Sequence, residues 1–114
     1  MIRLSNPLAI VLLFILSMAS LLLAAEEHTD AALEHASAAA RARDSRSVAE
    51  HAAEALRHTE AAKSNAADEE ARMHLEKGED TLNSAVQNAN WHNTHSAVDD
   101  ARDSRKHLEE AAKR

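Results

Sequence analysis

Eight histidines stand in a chain of 114 residues that has no cysteine. Imidazole binds divalent metals in its neutral form and takes up a proton near pH 6.5, so two chemistries are open to such a set: metal ligation and acid sensing. The spacing is ordered. His28, His51 and His74 recur every 23 residues, and a fourth unit beginning at His95 is two residues short. "HTDAALEH" and "HAAEALRH" align almost position for position, which adds His35 and His58; the third and fourth units, "HLEKGEDT" and "HSAVDDAR", keep only the first histidine. A repeat of helix plus turn is what duplication of one bundle element would leave.

At 100° per residue, His51 and His58 lie to one side of the stripe formed by Val48, Ala52, Ala55, Thr59 and Ala62. His74 holds the same-handed flank of a stripe of Ala71, Leu75, Gly78, Leu82, Ala85 and Ala89. His28 and His35 flank Thr29, Ala32, Leu33, Ala36 and Ala40, and His107 flanks Ala97, Ala101, Leu108 and Ala112. Antiparallel neighbours meet like flank to like flank, so histidines of adjacent helices face one another across a seam. Reflecting each helix through a turn near residues 46, 66 and 91 puts His35, His58, His74 and His107 on one tier, with no histidine opposite His51.

Three of the four have a carboxylate one helical turn earlier: Glu54, Glu70 and Asp103. At that spacing an acid shares the face and can orient the imidazole or join its ligand set. It can equally be a plain surface pair. Imidazole with carboxylate and no thiolate suits Cu(II), Ni(II) or Zn(II), with Cu(II) the tightest. Met73 offers a thioether or simple packing, and "WHNTH" offers His92 and His95 as an auxiliary pair if residue 92 is helical, with Trp91 as a lid.

These side chains need elements to hold them. One Gly, one Pro and 2% aromatic residues leave almost no turn or strand punctuation, and the rest is helix-forming. Arg3, the apolar run from Leu8 to Leu23 and the small residues Ala24 and Ala25 read as a signal peptide over residues 1–25, with cleavage expected after Ala25. Ser17-Met18-Ala19 is a competing site, and an uncleaved anchor is the rival reading. Either way the domain, residues 26–114, is expected outside the cytoplasm, in the periplasm. It keeps 12 of 13 basic residues against all 19 acidic ones, a net charge of −7. Without cysteine there is no disulfide framework or thiolate site. An acidic surface also excludes nucleic acid as a partner.

Helix signals divide the domain into an antiparallel up-down four-helix bundle. The first helix is expected from Thr29 or Asp30 to Arg43. Ser47 caps the second, with Glu50 completing a capping box. Asp68 starts the third, which ends near Asn88, and Thr94 caps the fourth.

With its leader, its lack of cysteine and its "HAAEALRH"-like units, the chain resembles the small metal-binding proteins, periplasmic His-rich four-helix bundles. The resemblance covers Glu26 to Arg114, with Thr81 and Arg102 where second histidines would stand. It implies binding of copper and other divalent metals, and metal sequestration or chaperoning in metal homeostasis, without catalysis. A ferritin-like di-iron enzyme needs Glu-x-x-His, which is absent, and covalent haem attachment needs the missing C-x-x-C-H. The competing function is an exported helical stress or interaction protein whose histidines sense acid. Divalent metal ions are thus the expected partners; a membrane enters only through an uncleaved leader, and no protein partner is legible.

Overall fold

A computed structural model of the chain describes residues 7–113, with side chains from residue 24 onward. Four helices follow one another: α1 (Pro7–Arg41), α2 (Ser45–Asn65), α3 (Glu69–Asn90) and α4 (Thr94–Ala112). Each packs on the next, and α1 closes the ring against α4. The first helix therefore begins well before Thr29 and runs unbroken past Ala25, whose carbonyl accepts the Thr29 hydroxyl at 2.8 Å. Of the expected leader, residues 1–23 fall outside the described side chains.

The core is built mainly of alanine. Val48, Ala52, Ala55, Thr59 and Ala62 of α2 are buried as one stripe, with the Thr59 hydroxyl donating to the Ala55 carbonyl at 2.7 Å. The α3 stripe is Leu75, Gly78, Leu82, Ala85 and Ala89. In α4, Ser104 and Ala111 are buried with Ala97, Ala101 and Leu108, while Ala112 is exposed. Small side chains let the helices approach closely. A Cβ on Gly78 would lie 3.2 Å from Leu108 Cδ2, so the largest fully buried side chain of α4 faces the smallest residue of α3.

Caps fix where the helices turn. Asp44, not Ser47, caps α2: its carboxylate accepts the Ser47 amide at 2.8 Å and the Ser47 hydroxyl at 2.9 Å, and these bonds hold its pKa below the ordinary value. A carboxylate is the stronger acceptor for the amides and positive dipole end of a helix start, so Asp44 takes the role and Ser47 becomes its donor. Glu50 pairs with Arg46 instead of closing a capping box. Asp68 caps α3 as expected, accepting the Glu70 amide at 3.0 Å. Asn93 precedes α4, and Thr94 is its first residue. Between α2 and α3, Lys63 and Glu79 are 2.7 Å apart, and that hydrogen bond raises the Lys63 pKa.

The two helical hairpins correspond at an offset of 49 residues, the separation of Ser45 from Thr94. The buried α2 residues map onto Ala97, Ala101, Ser104, Leu108 and Ala111. The Arg46–Glu50 pair maps onto His95–Asp99, and Glu54–Arg57 onto Asp103–Lys106. Ser45 and Thr94 hydrogen-bond to each other, which places a pseudo-two-fold axis at their contact. The repeating unit of the structure is thus a hairpin rather than the 23-residue helix and turn.

Candidate metal centre

Four half-buried histidines meet along the seam between α1 and α2. His28 Nδ1 and His58 Nδ1 are 3.0 Å apart, with ring centroids at 5.3 Å. His58 also stacks on His35, with centroids at 5.7 Å and planes 7° apart, and His35 lies 5.9 Å from His51. The rings thus zigzag in the order His51, His35, His58, His28. Same-handed flanks produce this arrangement, because each helix repeats its face after seven residues and His28/His35 and His51/His58 are each seven apart.

Glu54 lies one turn before His58 and joins the group. Ligand atoms of His35, Glu54 and His58 all fall within 4.8 Å of one another, the one such cluster among the described residues. Arg57 forms an ion pair with Glu54. Burial, and then the charges His28, His35 and Arg57 can carry, lower the His58 pKa, so its imidazole is neutral and ready to ligate near neutral pH. Two imidazoles and a carboxylate, half-shielded and without a thiol, are donors that fit Cu(II), Ni(II) or Zn(II).

The pairing differs in part from the tier expected by reflection. His35 and His58 meet as expected, but His51 does have a histidine opposite, His35, and both histidine neighbours of His58 lie on α1. Like flanks meet in alternate seams, so His74 and His107 belong to the other hairpin. There a Cβ on Gly78 would be 3.8 Å from His107 Cβ, which levels His107 with Gly78, one turn beyond His74. His74 Nδ1 is buried without a hydrogen-bond partner. At the level matching His35 and His51, Asp100 instead accepts from Ser84 Oγ at 2.8 Å and Asn88 Nδ2 at 2.7 Å.

His92 and His95 are both exposed. His92 has φ of 61°, outside any helix, so the two are not one helical turn apart. His95 Nε2 lies 3.5 Å from Asp99. Trp91 is 69% exposed and Met73 is 43% exposed, so neither is a core residue.

A family model described as "Small metal-binding protein" matches residues 3–111. The chain belongs to this family. Membership makes it a small metal-binding protein, and the α1–α2 histidines are the imidazoles its fold brings into contact. Neither the curated proteins nor the solved structures gave a match.

Proposed function

We propose that this small metal-binding protein is exported to the periplasm, with residues 1–25 as its signal peptide, and buffers divalent metal there, Cu(II) first and Ni(II) or Zn(II) after it. It does so without catalysis. The observation that carries this reading is the His35–Glu54–His58 group, with His28 in contact with His58. The metal preference draws on the donor set, imidazole with carboxylate and no thiolate, for which Cu(II) is the tightest-binding divalent first-row ion. Half-exposed ligands on helix flanks favour loading and release over a closed structural site. His74, His107, His92 and His95 are left as single donors outside this seam.

The test is titration of the metal-free protein with Cu(II), Ni(II) and Zn(II) in a weakly chelating buffer, followed by thermal unfolding. A ligand selective for the folded state stabilises it by about 2.7 kcal/mol at a hundred times its Kd. The expected order of Tm increase is Cu(II) above Zn(II), both reduced by His58→Ala. No increase with any ion at neutral pH would remove the buffering reading. It would promote the acid sensor, which the lowered His58 pKa supports. Detection of the protein in the cytoplasmic fraction would overturn the export reading.

A further inference from the structure

The α1 segment ahead of the seam carries a second set of nitrogen donors, most of them in the backbone. Ala24-Ala25-Glu26-Glu27-His28 places a histidine third after the expected processing point. We infer that removal of residues 1–25 creates a separate square-planar Cu(II) or Ni(II) site from the Glu26 α-amine, the Glu27 and His28 amide nitrogens and His28 Nδ1. This rests on the export reading above. An amine, two consecutive amides and the imidazole of the third residue close three fused chelate rings in one plane around a single ion. Cu(II) and Ni(II) favour that plane, whereas Zn(II) has no such preference.

Three features of the structure fit the assignment. The three-donor group of the seam is complete without His28, so His28 can exchange its Nδ1 hydrogen bond to His58 for another site while His35, Glu54 and His58 stay together. Residues 26–28 lie inside α1, but once residues 1–25 are removed they become a helix start, where the first N–H groups have no intrahelical acceptor. The Thr29 hydroxyl loses its acceptor, the Ala25 carbonyl, in the same step. There is also room for the first turn to rearrange. Ala25, Glu26, Thr29 and Asp30 border an open cavity of about 300 Å³ whose other walls include Ala62 and Asp68, and Glu26 and Glu27 are exposed. Loading displaces one proton from the ammonium and one from each amide; the two amidates balance the charge of the ion, and nothing is oxidised or reduced.

The experiment uses the exported protein isolated from the cell envelope. Its first residue is identified by mass spectrometry, and Cu(II) is added while copper stoichiometry and visible absorption are followed. The chain is expected to begin at Glu26. The first equivalent should give the band of a four-nitrogen planar copper centre, at shorter wavelength than an imidazole–carboxylate centre, and Zn(II) should not displace it. Glu27→Pro removes one amide proton and should abolish the band, while Glu27→Ala keeps it; proline is well tolerated in the first turn of a helix. His35→Ala with His58→Ala should leave the band intact and lower the stoichiometry of further ions. A first residue other than Glu26, no such band, or a band that survives Glu27→Pro overturns this site. If the double histidine variant binds as much copper as the unaltered chain, the seam reading fails instead and the terminal site stands.

Discussion

His58 and His35 touch more of the seam than His28 or His51 does, and burial also disfavours the charged form of His58. His58 meets His28 and His35 and shares a cluster with Glu54, whereas His51 meets His35 alone. His58→Ala is therefore expected to weaken Cu(II) binding at the seam about tenfold or more, since even outer-shell losses cost 10–100-fold. His51→Ala should cost less. Adding His35→Ala to His58→Ala should cost little further, because the cluster is already broken; equal and additive losses in a copper titration would mean independent surface ligands. The lowered His58 pKa sets a pH dependence for the metal-free protein. The folded state prefers neutral imidazole, so this residue's contribution is fully present above the unfolded value, near 6.5. It is lost as pH falls through the folded value. The apo Tm should decline on acidification below about pH 6.5, and His58→Ala should flatten that decline.

At the scale of the element, the turn decides which histidines meet. Apolar spacing in the sequence is enough to find the buried stripes of α2 and α3, because a 3.6-residue period leaves little choice of face. The level at which two helices face each other is less legible, since it depends on which residue ends the loop. "DSRS" offers two caps, and taking Ser47 in place of Asp44 moves the pivot by three residues and every partner by six. That shift hides the His28–His58 and His35–His51 contacts while leaving His35 near enough to His58 to be found. The Glu54–His58 spacing was legible, whereas Arg57 as the ion-pair partner of Glu54 was not. Asp44→Ala should lower the Tm by a few degrees, more than Ser47→Ala, because it exposes the α2 start and frees the pivot. Asp44 has a lowered pKa, so its contribution is present above its unfolded value of 3.8 and fades as pH falls through the folded one. A thermal melt series at pH 7 and pH 3 checks both statements.

At the scale of the whole molecule, a core made largely of alanine buries little area per residue, so stability is modest and a bound ion weighs heavily in it. The two hairpins also divide the polar work. Where α1–α2 has His28, His35 and His51, α3–α4 has Lys77, Ser84 and Asp100, and only His58 has a histidine counterpart, His107. Lys77→His restores the partner of His107 and should add metal capacity, measured as bound Cu(II) per chain. An unchanged stoichiometry with intact helical circular dichroism would show that the correspondence ends at the backbone.

The hydrogen bond between Ser45 and Thr94 joins two residues that occupy the same place in their hairpins. In an assembly of two identical chains, every substitution in the seam would be made twice, and a gain for one half would be imposed on the other. A single continuous chain escapes that constraint. One hairpin can give its seam to stacked and hydrogen-bonded imidazoles while the other, tied through Asp100 to Ser84 and Asn88, holds the four helices in register until an ion arrives.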